Sequence, residues 1–376
     1  MQPSGLHRSF AAVSKRESKM ELAMNSRGLI GTVLDRARAW ASTGISGRSS
    51  HTPDLPGRSF RSMGTLAAIT LGGDYAGRLE AIAEKIQAMF DRMESEMSIF
   101  RSGSAICELS RMAGEAPVAV PEDTFRVLSL GRHFGSVTEG AFNIAAAPLV
   151  GLWGFNGAPV PICPPSDRSI SKTLELVDVR RLELRDGSAF LPLKGMAVDV
   201  GGIAKGYAVD RAYDFCLGEG IKDFLIDFSG NVRAAGRPSP GESWQIGVRD
   251  PFDASRMLGK LALPSGMAVA TSGSYERFVD VAGKRFSHII DPRSGYPVIE
   301  TSSTTVLCAD AVTADALSTA FFVAGREGAG EFLKKISSVD LLLVPEQRPT
   351  ELCLTPGFDK ILTTPSRGPR SLLHRR

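Results

Sequence analysis

Cysteine and histidine are scarce in this sequence, and those present are scattered. The five cysteines are Cys107, Cys163, Cys216, Cys308 and Cys353, an odd number without any CxxC pair. The five histidines are equally dispersed. Disulfide frameworks need paired cysteines and zinc sites need clustered Cys or His ligands, so we expect neither here. The cysteines are expected to act as small buried side chains.

Long apolar runs and basic stripes are also lacking. No stretch approaches the ~18 consecutive apolar residues that a transmembrane helix requires. No apolar segment followed by a small-residue cleavage site is visible, and no lipobox cysteine, so the sequence by itself favours a cytoplasmic protein; the alternative is that the N-terminus is wrongly assigned. The net charge is only +3, and the best-formed basic cluster is the tail 367–376. We therefore expect no transmembrane segment and no nucleic-acid partner.

The composition divides the chain into three parts. Residues 1–57 are rich in Ser, Arg and Gly and are expected to form a disordered or weakly structured extension. Residues 58–363 carry the apolar patterning of one folded domain, and 364–376 form a basic tail. With 376 residues that are 43% hydrophobic, the chain is long enough to bury a substantial core.

Hydrophobic periodicity predicts a mixed fold of helices and strands. Apolar residues from Leu79 to Met93 recur at helical spacing and predict an amphipathic helix over about 75–97. Further helices are predicted over 122–137, 204–217 and 311–323, the last ending at Gly325. Strands are predicted over 58–71, 182–184, 196–200, 224–228, 232–235, 244–249, 267–271, 277–281 and 304–308. Because helices and strands do not alternate strictly, the pattern favours an α+β domain over a doubly wound sheet.

The segment Asp199–Asp210 combines a carboxylate, a Gly-Gly turn, a lysine and the start of a helix. A glycine turn lets the backbone approach a ligand closely, and its free N–H groups point outward. The helix N-terminus and Lys205 add positive charge, which suits a phosphate or pyrophosphate. Asp199 is placed to bind an amide edge or a metal. The alternative is a plain strand–turn–helix corner with a solvated lysine.

The predicted last helix places Asp315, Ser318 and Thr319 on one face, because they are three and four residues apart. A carboxylate and a hydroxyl one turn apart offer the oxygen ligands that Mg²⁺ prefers. The alternative is a structural one, in which the aspartate favours the helix dipole and the threonine bonds back to a carbonyl.

Three further segments contain candidate functional residues. His288 lies between apolar residues and the turn sequence Asp291-Pro292-Arg293-Ser294-Gly295 and could act as a base near neutral pH or form a structural hydrogen bond. Thr271–Tyr275 groups three hydroxyls around a glycine and could bind phosphate or form a turn. Gly140–Asn143 and Leu152–Phe155 could line a flat aromatic pocket or an apolar corner of the core.

Taken together and in this order, the motifs resemble the ApbE family, the FAD:protein FMN transferases. The resemblance extends from about Met63 to Gly325, and Asp199–Asp210 matches the family signature Asp-x-Gly-Gly-x-Ala-Lys-Gly-Tyr-Ala-x-Asp closely. The other matching segments are Met63-Gly64-Thr65, Met97–Phe100, Gly140–Asn143, Pro148-Leu149, Trp153–Phe155, Thr271–Gly273, Ser287–Pro292 and Ala314–Leu317.

The resemblance implies a single mixed α/β domain of the ApbE-like, T-fold-related type. It also implies a reaction, in which Mg²⁺ and FAD bind and the FMN half of FAD moves onto a Thr or Ser hydroxyl of a target flavoprotein. AMP is the leaving group. In this reaction an oxygen nucleophile attacks a negatively charged diphosphate. The reaction therefore needs a Mg²⁺ ion to neutralise that charge and a base to remove the hydroxyl proton.

The resemblance assigns roles to individual positions. His288 matches the proposed base, and the metal would be bound by the Gly202 carbonyl, Asp315 and Thr319. The residues implied to contact FAD are Met63, Ser98, Ile99, Phe100, Ala141, Phe142, Asn143, Asp199, Lys205 and Ile290. Asn143 stands where the family usually has Asp, which keeps the shape and one acceptor but loses the charge.

Three other functions remain compatible with these residues. With water as the nucleophile, the same site would be a pyrophosphatase that splits FAD into FMN and AMP. Without catalysis, it would be a FAD-binding or flavin-delivery protein, for which Asn143 is the main motivation. An unrelated pyrophosphate-binding enzyme that shares these turns is a third alternative.

Overall fold

A nine-stranded sheet forms the centre of the fold. The computed structural model describes residues 55–157, 161–347, 351–363 and 370–373. The extension predicted over 1–57 lies almost entirely outside the described residues, and so does most of the predicted basic tail. Within that tail, Arg370–Leu372 forms a short strand at the edge of the sheet.

The elements are numbered in chain order. The helices are α1 (Leu79–Met97), α2 (Ala105–Arg111), α3 (Glu122–Val137), α4 (Ala147–Leu152), α5 (Asp167–Leu174), α6 (Ala204–Gly218), α7 (Ala311–Lys335) and α8 (Pro356–Ile361). The strands are β1 (Gly57–Ser62), β2 (Thr65–Leu71), β3 (Val118–Ala119), β4 (Glu183–Arg185), β5 (Ser188–Phe190), β6 (Phe224–Phe228), β7 (Asn231–Ala235), β8 (Trp244–Arg249), β9 (Met257–Leu263), β10 (Ala268–Gly273), β11 (Phe278–Val281), β12 (Lys284–Ser287), β13 (Thr301–Cys308), β14 (Asp340–Pro345), β15 (Leu352–Leu354), β16 (Leu362–Thr363) and β17 (Arg370–Leu372).

The strand order in the central sheet is β1-β2-β6-β7-β10-β13-β14-β15-β17. Neighbouring strands are antiparallel except for β15 and β17, which are parallel. Smaller sheets have the orders β16-β9-β8, β3-β5-β4 and β11-β12. A mostly antiparallel sheet without strict helix–strand alternation confirms the α+β class.

Different layers cover the two faces of the central sheet. On one face, helices α1, α6 and α7 enclose the largest core, where Phe90 stacks on Phe228 with ring centroids 4.7 Å apart. On the other face, Val232 and Leu342 of the central sheet pack with Trp244 and Leu261 of the β8–β9 sheet. A third cluster, which includes Trp153, joins α4, α5 and the β11–β12 hairpin.

Strand β13 shows how polar residues are accommodated in this core. All eight of its residues are buried, although five of them carry hydroxyl groups. Thr304 donates to the Ser318 carbonyl at 2.6 Å, and the Thr305 and Thr271 hydroxyls lie 2.9 Å apart. A buried polar group without a partner costs roughly 1–3 kcal/mol, so these bonds tie β13 specifically to α7 and β10.

The helix predictions agree well with the structure. Helix α3 spans the predicted 122–137, and α1 begins at Leu79 after a short 3₁₀ turn, Ala76–Arg78. Helix α7 continues beyond its predicted end to Lys335, although Gly325 breaks the regular helical geometry with φ +62°. Among the described helices, none is both long enough and apolar enough to cross a lipid bilayer.

Two strand predictions are wrong in detail. The run 58–71 is two strands, because Met63 and Gly64 both have positive φ (+47° and +71°) and form a two-residue hairpin turn. The segment 196–200 is not a strand in the structure. Its alternating apolar side chains are buried in the core, while the Asp199 N–H bonds the Ile144 carbonyl at 2.8 Å instead of a neighbouring strand.

Candidate active site

The glycine turn before α6 is organised by its own polar groups. Asp199 Oδ1 accepts the N–H of Gly201 at 2.8 Å, which closes a tight turn at the carboxylate. Lys205, on the first turn of α6, donates from Nζ to the Gly201 carbonyl at 3.0 Å. The lysine is therefore folded back over the turn, with its ammonium group at the positive end of the helix.

Helices α6 and α7 cross at Gly206 in very close contact. A Cβ added to Gly206 would lie 2.3 Å from the Ala311 carbonyl oxygen and 2.7 Å from Asp315 Cβ. The N–H of Gly206 donates to Asp315 Oδ2 at 2.9 Å, and Lys205 Nζ lies 4.0 Å from the same oxygen. The absence of a side chain at Gly206 thus brings the buried Asp315 carboxylate against the first turn of α6.

This crossing leaves the Gly202 carbonyl available. In a continuous helix the Gly206 N–H would bond the carbonyl four residues back, but here it bonds Asp315. A Cβ built at Gly202 would lie 3.6 Å from Thr319 Oγ1 and 3.2 Å from the Phe142 ring. Gly202 and Thr319 are therefore neighbours between the glycine turn and α7, and Thr319 lies one helical turn after Asp315.

The Asp315 carboxyl lies in an environment that opposes its charge when no cation is bound. Burial raises its pKa, and the Lys205 ammonium, the Gly206 N–H and the Asn231 side chain act in the opposite direction. Asn231 is itself buried, and its Oδ1 has no hydrogen-bond partner among the described residues. A buried carboxylate beside an amide oxygen without a hydrogen-bond partner is suited to a cation.

A hydroxyl network holds the α7 side of this pocket. Ser272 Oγ, from β10, lies 2.7 Å from Ser318 Oγ and 3.2 Å from Thr319 Oγ1. Ser318 also donates to the Asp315 carbonyl at 2.9 Å. The first three residues of the hydroxyl-rich segment Thr271–Tyr275 belong to strand β10, which ends at Gly273. Within this segment, Ser272 orients the hydroxyl of Thr319.

His288 is anchored through one ring nitrogen. Its Nδ1 lies 3.0 Å from the Arg277 carbonyl oxygen, which also accepts the His288 N–H at 3.1 Å. A carbonyl can only accept, so Nδ1 carries the proton and Nε2 holds the free lone pair. Burial, assisted by the positive charges of Arg277 and Lys205, lowers the pKa of His288 to about 4, although the bond to the Arg277 carbonyl acts in the opposite direction. The imidazole is therefore neutral at physiological pH.

The same cations act on Asp199. Burial raises the pKa of this carboxyl, while the Gly201 N–H, Arg277 and Lys205 oppose that shift. Asp199 and His288 thus lie in one electrostatic neighbourhood with Lys205 and Arg277. The structure brings together the predicted base, the predicted phosphate-binding lysine and the predicted turn carboxylate, which are up to 89 residues apart in the sequence.

Two loops form a more exposed group of predicted FAD contacts. Met63 lies in the β1–β2 turn, where its N–H donates to Glu94 Oε2 at 2.7 Å. Arg101 also bonds Glu94 (3.0 Å), which ties the loop Ser98–Arg101 to the same glutamate. In that loop Ile99 packs against the core, whereas the Phe100 side chain is 65% exposed. An exposed aromatic ring in an anchored loop is suited to stacking on a flat ligand.

Four other predicted FAD contacts are held in the protein framework. The side chains of Ala141, Phe142 and Ile290 are buried and belong to the hydrophobic packing around the site. Asn143 Oδ1 accepts the Ala145 N–H at 2.9 Å and caps a 3₁₀ turn, while Nδ2 lies 3.4 Å from the Val177 carbonyl. Contacts of these positions with a ligand would therefore involve main-chain groups or a change in the Asn143 rotamer.

Several residues of the site were not singled out from the sequence. Gly206 and Asn231 contact Asp315 from other elements, and Arg277 orients His288 through its carbonyl. Gly206 lies within the signature segment, where a glycine in the first turn of a helix is a recognisable sign of close helix packing. The local sequence assigns neither Asn231 nor Arg277 its role in the site, because both roles depend on residues far away in the chain.

The donor set fits a hard divalent cation. Gly202, Asp315 and Thr319 would supply one carbonyl, one carboxylate and one hydroxyl oxygen, which are ligands that Mg²⁺ accepts. Within the described ranges, no three Asp, Glu, His or Cys side chains are grouped as a metal cluster. A cation here would therefore complete its shell with water and ligand oxygens, as Mg²⁺ commonly does with phosphates.

The site combines a glycine turn at a helix N-terminus, a lysine, oxygens that could hold a cation, and a neutral imidazole. Together these groups have the chemistry of a site for a nucleotide diphosphate. The sequence model of the ApbE family matches residues 63–343. The chain therefore belongs to the ApbE family, which confirms the resemblance inferred from the motifs.

Named relatives and solved structures agree with this assignment. The chain is 34% identical over 294 residues to a FAD:protein FMN transferase of Klebsiella pneumoniae (strain 342), and the match covers 77% of this chain and 86% of the relative. The ApbE protein of Thermotoga maritima MSB8 has a TM-score of 0.72 at 31% identity, covering 78% and 95% of the two chains. Flavin transferase ApbE from Vibrio cholerae has a TM-score of 0.71 at 26% identity, covering 81% and 98%.

Proposed function

We propose that this protein is a FAD:protein FMN transferase that moves the FMN half of FAD onto a Ser or Thr hydroxyl of an acceptor flavoprotein, with Mg²⁺ bound and AMP released. Its family and the names of its relatives support the transfer of FMN from FAD to protein. The observation that carries the proposal is that Asp315 lies beside Lys205 and Gly202 lies beside Thr319, with the neutral His288 in the same electrostatic neighbourhood.

The diphosphate of FAD would lie over the glycine turn. The N-terminus of α6 presents partial positive charge there, and Lys205 adds a full charge at the same place. The lysine is held by the Gly201 carbonyl, so it is positioned before FAD arrives. Preorganised cations of this kind favour the charge that develops on the phosphoryl oxygens as the bond to AMP breaks.

His288 would act as the base for the acceptor hydroxyl. Its Nε2 takes the hydroxyl proton as the acceptor oxygen forms a bond to the phosphorus on the FMN side. The bond between that phosphorus and the bridging oxygen breaks, and the bridging oxygen leaves with AMP. The Arg277 carbonyl at Nδ1 keeps the imidazole in the tautomer this step requires and stabilises the cation that forms.

A Mg²⁺ ion held by the Gly202 carbonyl, Asp315 and Thr319 would neutralise charge on the diphosphate and on the departing AMP. The protein's own contribution is to keep these three oxygens in place. Gly206 and Asn231 hold the Asp315 carboxylate, and Ser272 holds the Thr319 hydroxyl.

The isoalloxazine ring would bind against the exposed loops. Phe100 offers an open aromatic face, and the partly buried Met63 lies in a hairpin turn that shares the Glu94 anchor with the Phe100 loop. Ser98, Ile99, Ala141, Phe142, Asn143 and Ile290 would complete this wall through main-chain groups and packing. The flavin end is thus open to a large partner such as an acceptor protein.

The decisive test is transfer to a defined acceptor. The purified protein, FAD and Mg²⁺ would be incubated with a flavoprotein that carries the Thr/Ser acceptor motif, with in-gel flavin fluorescence and AMP as readouts. The expected result is a fluorescent acceptor band with equimolar AMP, both abolished by chelating the divalent cation. The matched control is the same acceptor with its target Thr changed to Val, which should give neither product.

The alternative activities give different results in the same experiment. AMP formation at an equal rate without acceptor would identify a FAD pyrophosphatase and contradict the transferase proposal. Tight FAD binding without any AMP, even with acceptor and Mg²⁺, would identify a flavin-binding protein.

A further inference from the structure

Asp210 is a residue of the signature segment that the proposed chemistry leaves without a role. It lies on α6, five residues after Lys205, and it points to the beginning of α7. Its Oδ1 accepts the N–H of Ala311 at 2.8 Å, and its Oδ2 accepts the N–H of Val312 at 2.8 Å. One carboxylate therefore bonds the first two main-chain amides of a helix that is distant in the sequence.

This contact forms a pair with the crossing at Gly206. Gly206 and Asp210 are four residues apart on α6, and Ala311 and Asp315 are four residues apart on α7. Each pair lies on one face of its helix, so the two helices are joined at two points about one turn apart. The first point joins Gly206 to Asp315, and the second joins Asp210 to Ala311 and Val312. Two points fix a helix against rotation and sliding, which one point does not.

We propose that Asp210 is a positioning residue for the metal site, because it anchors the start of α7 to α6 and thereby holds the Asp315 carboxylate beside the Gly202 carbonyl. The inference rests on the proposed metal site, but it concerns the scaffold that shapes this site. Mg²⁺ demands near-ideal geometry, so a shift in one ligand carboxylate weakens binding strongly.

The surroundings of Asp210 show that more than simple helix capping is involved. Helix α7 has its own N-cap, Asp310, whose Oδ1 accepts the Thr313 N–H at 2.8 Å. Asp210 also accepts a 2.8 Å bond from Arg233 of β7, and that guanidinium stacks on the Tyr213 ring of α6 at 3.9 Å. The Asp210 carboxylate is thus held from the sheet side while it bonds α7, which makes the anchor rigid.

Asp310 provides a matched control on the same helix. Both aspartates satisfy main-chain amides in the first turn of α7, so the loss of either should lower the melting temperature. Of these two aspartates, only Asp210 connects that turn to α6. Asp210→Ala and Asp310→Ala should therefore both be less stable, but only the first should disturb the metal site.

The experiment measures metal binding directly. Mn²⁺ would be titrated into the intact protein in the presence of FAD, and free Mn²⁺ would be followed by its electron paramagnetic resonance signal. FAD binding, melting temperature and transfer activity as a function of Mg²⁺ concentration would be recorded in parallel. Asp210→Asn, which keeps the side-chain shape and one acceptor, is the variant to use if Asp210→Ala does not fold.

We expect Asp210→Ala to bind Mn²⁺ about 10-fold more weakly, in line with the loss of other groups that orient metal ligands. Its half-saturating Mg²⁺ concentration should rise by a similar factor, and saturating Mg²⁺ should restore most of kcat. Asp210→Asn should lie between Asp210→Ala and the unmodified protein, while Asp310→Ala should bind Mn²⁺ normally.

Two outcomes would overturn the inference. Normal Mn²⁺ affinity in folded Asp210→Ala would show that the anchor does not position Asp315. An equal loss of affinity in Asp310→Ala would show that any weakening of the α7 N-terminus has the same effect. If the unmodified protein itself neither bound Mn²⁺ nor needed a divalent cation, the proposed metal site would fail, which is a distinguishable result.

Discussion

The two sides of the candidate site are built in different ways. On the phosphate side, Asp315 and Gly206 are buried and joined by a direct hydrogen bond at the crossing of α6 and α7. On the flavin side, Met63 and Phe100 lie in loops, and the Phe100 ring is 65% exposed. In the proposed function, the first side would bind the charged diphosphate and its cation, and the second side would contact a flat ring system.

The difference follows from what each part of the ligand requires. Charge stabilisation is strongest where donors and acceptors are fixed before the reaction and water is excluded. A flat aromatic group is bound mainly by contact area, so loop residues with some freedom are sufficient. We therefore expect substitutions on the phosphate side to impair chemistry and folding, and substitutions on the flavin side to weaken binding modestly.

The largest effect is expected for Asp315→Asn. The amide keeps the shape but removes the only carboxylate among the proposed metal ligands. A metal-stabilised transition state is worth several kcal/mol, so turnover should fall at least ~10³-fold. The measurement is AMP release and acceptor flavinylation over a range of Mg²⁺ concentrations.

The control for this variant is Asp280→Asn, because Asp280 is an exposed carboxylate on the β11–β12 hairpin that pairs with Arg285. It should retain full activity. Full turnover by Asp315→Asn would remove the metal assignment on which the phosphate side depends.

The next largest effect is expected for His288→Ala. Loss of a general base typically costs roughly 10²–10⁴-fold, so transfer should slow strongly while FAD binding is retained. The exposed His133 on α3 gives a matched control, since His133→Ala removes an imidazole without a role in the site. If FAD binding collapsed together with transfer, His288 would be a ligand-holding residue and not the base.

The pH dependence of transfer provides a second test of His288. A base acts only when it is deprotonated, and burial lowers the pKa of His288 to about 4. The acid limb of kcat/KM for the free enzyme should therefore lie well below pH 6.5, and activity should be level from about pH 6 to 8. The stability of the fold should depend on pH in the same direction. In the unfolded chain His288 binds a proton more readily than in the folded protein, so the free energy of unfolding should decrease as pH falls from 6.5 towards 4.

A structural effect is expected for Gly206→Ala. The new methyl group would approach the Ala311 carbonyl oxygen within 2.3 Å, so α6 and α7 would have to separate. Overpacking of this kind costs typically 1–3 kcal/mol, and the metal pocket should be disturbed as well. Chemical denaturation measures the loss in the free energy of unfolding.

Gly218 at the end of the same helix is the matched control. A Cβ there would have no heavy atom within 4 Å, so Gly218→Ala should be neutral or slightly stabilising, by up to ~1 kcal/mol. Equal stability of the two alanine variants would contradict the tight crossing described for α6 and α7.

The smallest effect is expected for Phe100→Ala on the flavin side. Aromatic stacking contributes roughly 0.5–1.5 kcal/mol, so FAD should bind about 2–12-fold more weakly with kcat nearly unchanged. Quenching of FAD fluorescence measures the affinity. Phe252→Ala, which removes another exposed phenylalanine, should leave it unaltered. If Phe100→Ala lowered kcat as much as His288→Ala, the proposed difference between the phosphate side and the flavin side would be contradicted.

Local sequence patterns predicted the long elements well. Helices α1 and α3 each bury one apolar stripe, so the periodicity of the sequence marked them within a few residues. The segment Met196–Val200 was predicted as a strand because its apolar residues alternate, but burial of an unpaired segment produces the same pattern. The break between β1 and β2 was missed because Met63, a residue uncommon at positive φ, occupies the turn with Gly64.

The sequence by itself determined the chemical groups of this protein: a glycine turn before a helix, a lysine one step into it, an aspartate and a threonine on one face of another helix, and a histidine before a sharp turn. Tertiary structure alone decided how they meet. The bond between Gly206 and Asp315 spans 109 residues, and the Arg277 carbonyl fixes the tautomer of His288 across a hairpin. Such contacts depend on the packing of distant elements, and short-range periodicity carries no information about distant pairs.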